Sequence, residues 1–355
     1  MVAFRNGANA RPGRRCEMKK FVTLSTVVVC LFLLNSALAE QKTWRLRWAY
    51  FATSDLPESK PMSDMVKRVA DRTKGAVKIE IYWSDSLVPI FEILDAVRTG
   101  AAEMGTWPIG AFARVEKTFA SAEVPLLYNT FKGQVEAHEK ILPLLNKTCE
   151  QRFNQRVLSI DPIFTLEVGC VKKTIKKLED WKGLLVQTIS PQMSAMIHAL
   201  GGKATPISPT EVFESLEKGV IDATIQSVGK YTEAKLWEVC PYVTIAGLVP
   251  AAVATSVNLN ALSSLPKEVQ QVIIDEATQM HRERVRISLD TYENHHIRLL
   301  KQNMKEVYFL PRAERERWKV AVASYVEGLL RDMGDFGAEV KKIAEEVNKR
   351  YPYPY

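Results

Sequence analysis

Apolar and polar positions along this chain fall into short blocks that recur in one order. "RLRWAYF" (45–51) reads as a strand. Met62, Met65, Val66, Val69 and Ala70 then fall at helical spacing, and the pattern stops at Gly75. "VKIEIYW" (77–83) alternates as a half-buried strand does. "PIFEILDAVRTG" (89–100) predicts a helix with Gly100 past its end, and "AAEMGTW" (101–107) a strand after it. The order repeats beyond Trp181. "LLV" (184–186) is a strand that ends at Gln187, and "SPQMSAMIHALGG" (190–202) a helix with Ser190 as cap and Pro191 in its first turn. "KATPI" (203–207) predicts a strand, and "SPTEVFESLEKG" (208–219) a helix opened by a capping box at Ser208, Pro209 and Glu211. "VIDATIQ" (220–226) is the strand that follows.

The two series superpose at an offset of 119 residues, with 91–110 over 210–229. Glu92 meets Glu211, Gly100 meets Gly219, Gly110 meets Gly229, Glu103 meets Asp222 and Val97 meets Leu216. Helix, glycine stop, acidic residue and strand agree in one register, which predicts two βαβαβ halves, each with a parallel sheet. Open α/β sheets hold ligands outside the carboxyl ends of their strands. That rule places Tyr50 and Trp107 on one side of a cleft, with Gln187 and Gln226 on the other. Residues 266–302 and the segments "RERWKVAVASYVEGLLRDMG" and "GAEVKKIAEEVNKRY" carry helical periodicity and read as bracing helices.

The amino-terminal stretch breaks this pattern and changes the reading of charge. Met18-Lys19-Lys20, an apolar run from Phe21 to Leu34, and "SALA" (36–39) form an export signal with cleavage expected after Ala39. The full chain of 355 residues has a net charge of +7. Without residues 1–39 it keeps 42 basic and 40 acidic residues, so nucleic-acid binding loses its electrostatic basis. Three cysteines remain, Cys149, Cys170 and Cys240. Pairing of Cys149 with Cys170 and three buried thiols are both open from spacing alone.

Motifs for chemistry are missing. The chain has no G-x-S-x-G, G-x-x-x-x-G-K-[ST], C-x-x-C or H-E-x-x-H, and no evident cofactor or metal signature. His295 and His296 are adjacent, which on a helix turns them about 100° apart. The expectation is a binding protein and not an enzyme.

"ADRTKGAVKIEIY", "EILDAVRTGAAEMG", "VPLLY", "KKLEDWKG" and above all "ALGGKATPISPTEVFESLEKGVIDATIQS" resemble the DctP-type solute-binding proteins of TRAP transporters, from about Trp44 onward. The resemblance implies a monomeric periplasmic receptor of α/β class with a two-lobed, type II-like binding-protein fold. It implies lobes at 40–164 plus 252–293 and at 165–251 plus 294–355, and delivery of a small organic ligand to TRAP transporter membrane subunits. It also implies an arginine for the ligand's carboxylate four residues after the "KG" glycine; here that position, after Gly183, is Gln187. An asparagine anchor four residues past the "G-x-[VI]-D" aspartate, Asp222, is here Gln226. Leu166 stands near the place of a further arginine. A glutamine amide offers a neutral donor and acceptor where arginine offers a charged fork. The pair of glutamines therefore suits a neutral or weakly polar ligand. The alternatives are a carboxylate held by another anchor and a sensory protein with a signalling partner.

Overall fold

The structure, a computed structural model, describes residues 1–3, 43–208 and 211–355. The expected export signal at 18–39 lies outside the described residues, as do Pro209 and Thr210 of the expected capping box. The compact unit runs Trp44–Tyr355.

Its first half is β1 (Trp44–Tyr50), α1 (Lys60–Arg72), β2 (Val77–Tyr82), α2 (Ile93–Thr99) and β3 (Met104–Pro108). After α3 (Phe131–Arg152) and β4 (Gln155–Cys170), the order recurs as β5 (Leu185–Thr188), α4 (Pro191–Leu200), β6 (Lys203–Pro206), α5 (Val212–Glu217) and β7 (Ala223–Ser227). The rest comprises α6 (Val228–Glu233), β8 (Tyr242–Asn258), α7 (Leu259–Ser263), α8 (Lys267–Thr291), α9 (Arg298–Asn303), β9 (Glu306–Phe309), α10 (Arg312–Asp332) and α11 (Asp335–Arg350).

The repeat read from the sequence is visible in bonding as well as in order. Strands run β2-β1-β3 and β6-β5-β7, with β1 and β5 each parallel to both neighbours. Glu103 accepts the backbone N–H of Arg47 in β1 at 2.8 Å, and its counterpart Asp222 accepts that of Leu185 in β5 at 3.0 Å. Gly100 and Gly219 end the preceding helices at φ 82° and 71°, a region that side chains disfavour. Val97 and Leu216 are both buried.

The two longest strands were not anticipated from the sequence, and they join the halves into one sheet. Among the described residues its order is β2-β1-β3-β8-β4-β7-β5-β6, with β9 also on β8. β4 and β8 pair antiparallel along most of their length but change outer partners midway. β3 lies on Val253–Val257 of β8, whereas β7 lies on Leu166–Cys170 of β4. Register shifts fall between, at Ile163/Leu166 and Leu166/Val168, where β8 carries Pro250, which has no N–H to give the ladder.

Four apolar clusters cover the sheet. Trp48 and Tyr50 pack with Met62 and Met65 of α1 and with Ile273 and Met280 of α8. Trp107 packs on the other face with Ile141 of α3 and Val340 of α11. Val186 packs with Met193 of α4 and Trp318 of α10, and Tyr231 with Leu216 of α5 and Leu300 of α9. Cys149, Cys170 and Cys240 are buried, unpaired and divided among three of these clusters. This arrangement corresponds to three separate thiols, not to a Cys149–Cys170 bridge.

Candidate functional site

The carboxyl ends of the parallel strands approach one another along β4. β3 ends with Pro108 against Val253, which faces Asp161 of β4; β7 ends with Ser227 against Leu166. Five residue steps separate the two ends, roughly 17 Å at strand rise. Residues that follow β1, β2 and β3 therefore confront residues that follow β5, β6 and β7 across this interval.

Gln187 is fully buried near the end of β5. Its Nε2 donates to the Ile207 carbonyl at 3.1 Å. Its Oε1 accepts from Thr224 Oγ1 at 3.0 Å and from Gln226 Nε2 at 3.1 Å. Gln226 Nε2 also lies 3.2 Å from Thr224 Oγ1. The two glutamines named from the sequence are thus brought together, in a neutral network where each amide supports the other.

The two aromatic positions go elsewhere. Tyr50 lies opposite Thr106, whose hydroxyl accepts the Trp48 indole N–H, so Trp48 and Thr106 share one face. Trp107, the next residue, points to the other face, because strand side chains alternate. Its ring is fully buried against Phe112 and Phe119, and its N–H donates to Ser256 Oγ at 2.9 Å. Tyr50 accepts from Arg284 Nη2 at 3.4 Å and packs edge-on to Trp83. Both rings sit at strand ends, as the register required, but on opposite faces of the sheet.

Several site-side groups were invisible to sequence reasoning. Asp161 is fully buried and accepts from Arg284 Nη1 at 2.8 Å, with His281 Nδ1 also at 2.8 Å. Burial opposes its charge, but Arg284 and His281 hold it down at about 2. His281 is likewise opposed by burial, yet Asp161 and Glu139 raise it to about 9. Glu167 accepts from the N–H groups of Ala246 and Gly247 and from Thr165 Oγ1, pinning β4 to β8 beside the register shifts.

Glu123 occupies the interval between strand ends. Its carboxyl presses on Gly110, two residues past β3: a Cβ added there would lie 2.2 Å from Glu123 Cδ. It also bonds Ser190, two residues past β5, and burial pushes it up to about 7. Its Oε2 is buried without a partner. Glu233 of α6 faces solvent, yet crowding by surrounding protein raises its carboxyl; Lys230 opposes the rise, while Glu58 and Asp55 add to it. Asp85, after β2, is similarly exposed and similarly raised by its surroundings. Among the described residues no cluster of three or more His, Cys, Asp or Glu could hold a metal.

The profile of the DctP family, "Bacterial extracellular solute-binding protein, family 7", matches residues 48–332. A monocarboxylate 2-oxoacid-binding periplasmic protein of Nostoc is 27% identical over 278 residues, 70% of each chain. The 2,3-diketo-L-gulonate-binding periplasmic protein of Escherichia coli is 23% identical over 340 residues, 91% of this chain and 99% of that one. Among solved structures, a TRAP periplasmic solute binding protein of Ochrobactrum anthropi matches at TM-score 0.80 and 20% identity, covering 89% of this chain and all of the other. The galactonate complex of a sugar acid binding protein of Advenella mimigardefordensis matches at 0.77 and 20% identity, over 86% and 99%.

Proposed function

Because the chain belongs to the bacterial extracellular solute-binding protein family 7, we propose that it captures a small solute between two lobes and presents it to TRAP-type membrane subunits. The lobes are 40–164 plus 252–293 and 165–251 plus 294–355, and they meet along the stretch where β4 and β8 exchange partners. The mature protein begins at Glu40, is exported to the periplasm and acts as a monomer without catalysing a reaction.

Gln187 and Gln226 anchor the solute. Tyr50 and Trp107 back the opposite strand ends from the two faces of the sheet, as buried packing behind the site. The observation that carries this reading is the neutral Gln187–Thr224–Gln226 network at the strand end. Among the described residues no Lys, Arg or His bonds this network, so a carboxylate buried against it would lack a paired cation to offset its lost hydration, which favours a neutral solute over a simple carboxylate. Mass spectrometry of the solute that accompanies the exported protein, followed by a structure of the complex, tests the assignment. Solute density away from the strand ends would overturn it.

A further inference from the structure

We propose that the edge of the sheet remote from Gln187 is a membrane-facing surface, whose lysines rest on the phosphate headgroups of an anionic bilayer. This surface is separate from the solute site and independent of which solute is bound.

The fold gathers these lysines from segments far apart in sequence. Strands β5, β6, β7 and β9 begin on one edge of the sheet, where β4 ends and β8 begins. Backbone bonds tie that edge together: the N–H groups of Lys203, Asp222, Val171 and Lys305 donate to the carbonyls of Leu184, Leu185, Asp222 and Pro241 at 2.8, 2.8, 3.0 and 2.9 Å. The row therefore carries Lys203 at the start of β6, Lys182 ahead of β5, Lys172 and Lys173 past β4, and Lys305 ahead of β9. From β6 to β9 it runs across β5, β7, β4 and β8, roughly 24 Å at interstrand spacing. Lys176 and Lys177 follow on the loop after β4 and, with Lys172 and Lys173, line a recess of about 530 Å³. Gln187 and Gln226 stand toward the other ends of β5 and β7, so this edge leaves the solute site uncovered.

All of these lysines are exposed. Asp222, Asp180 and Glu306 pair with Lys172, Lys173 and Lys176, whereas among the described residues Lys177, Lys182, Lys203 and Lys305 form no ion pair. Glu179, the remaining acid of the loop, is taken by Arg317 of α10. Beyond residue 39 the chain is nearly balanced in charge, so the excess at this edge is local. Lysine is a flexible point charge suited to scattered phosphates, while a site for one fixed anion draws on the planar fork of arginine. No arginine stands on the segments 171–185, 201–203 or 305–306. A protein face is built around apolar and aromatic side chains and is poor in lysine. Here the one large apolar side chain exposed beside the row, among the described residues, is Val220. The setting fits a flat anionic bilayer, where each lysine within about 8 Å of the surface adds to the attraction.

Vesicle flotation of the full exported chain, checked by mass to lack the apolar run 21–34, tests this. The vesicles are phosphatidylcholine alone, and phosphatidylcholine with an equal part of phosphatidylglycerol. At low salt and millimolar lipid the protein should float with the anionic vesicles only, and about 1 M salt should release it. Lys177→Gln, Lys182→Gln, Lys203→Gln and Lys305→Gln together should weaken the partition about a hundredfold or more, at about fivefold for each lysine. Lys74→Gln, Lys78→Gln, Lys117→Gln and Lys147→Gln, which change the net charge equally at exposed positions elsewhere, should leave it within about twofold. The pair Lys177→Glu and Lys203→Glu should abolish flotation, and all three variants should melt with the parent. Equal flotation with both vesicles, flotation with neither, or equal loss in the edge and control variants overturns the inference. So does capture by purified membrane subunits in neutral lipid that the edge variant loses, since that result assigns the edge to a protein face.

Discussion

Replacing Gln187→Arg would restore the cation that the resemblance leads one to expect, inside a site built without one. Gln187 is fully buried, so the guanidinium would have to leave water at the end of β5. An unpaired buried charge costs several kcal/mol even after relaxation. The substitution also removes the Oε1 that accepts from Thr224 and Gln226, leaving buried donors short by roughly 1–3 kcal/mol. Together these give a loss of about 4 kcal/mol or more. For a chain of this size each kcal/mol shifts the melting temperature by about 2 °C, so the variant should melt about 8 °C below the parent. A carboxylate that pairs with the new cation, at a hundred times its dissociation constant, should return about 2.7 kcal/mol, or about 5 °C. Differential scanning fluorimetry with and without succinate reads both numbers. A variant that melts with the parent, or a parent already stabilised by succinate, would refute the claim that this site is organised around neutrality.

Asp161→Asn leaves Arg284 buried without its counter-charge and should cost about 3–5 kcal/mol, read from urea unfolding midpoints. His281, held at about 9 against 6.5, stabilises the fold fully below pH 6.5 and loses that contribution as pH rises through about 9. The loss should be about 2.5–3.5 kcal/mol, the range spanned by its own shift and that of Asp161, and His281→Gln should flatten the profile between those limits. Gly110→Ala drives a methyl group into the Glu123 carboxyl and should cost about 1–3 kcal/mol, partly recovered when Glu123→Ala is added.

The repeated halves were legible because their punctuation is chemical: a glycine forced to positive φ, then an acidic residue bonding the first strand. The strands β4 and β8 were not. β4 hides Pro162, Asp161 and Glu167 in its run, while β8 is apolar through most of 17 residues and shows no period. The Gln187–Gln226 pairing follows from register, which the offset supplied. Trp107 shows the limit of that reasoning: the strand and its end were read, but the face was not, and one residue step reverses it. Glu123 lies in "SAEVPLL", where no pattern marks a carboxyl; only the approach of Gly110 and Ser190 gives it a role.

The exchange of partners along β4 and β8 also constrains when the protein can fold. β3 finds its outer neighbour 149 residues later, as the Trp107–Ser256 bond spans. Trp48 and Met65 of the first half find their cover only in Ile273 and Met280. A chain that emerges amino end first therefore has no complete hydrophobic core to close until α8 is out. Contacts this distant delay compaction, since the loop must form before any of them is made. For a polypeptide threaded through a narrow channel, that delay is useful: the leading segment stays extended while the trailing one is still being passed.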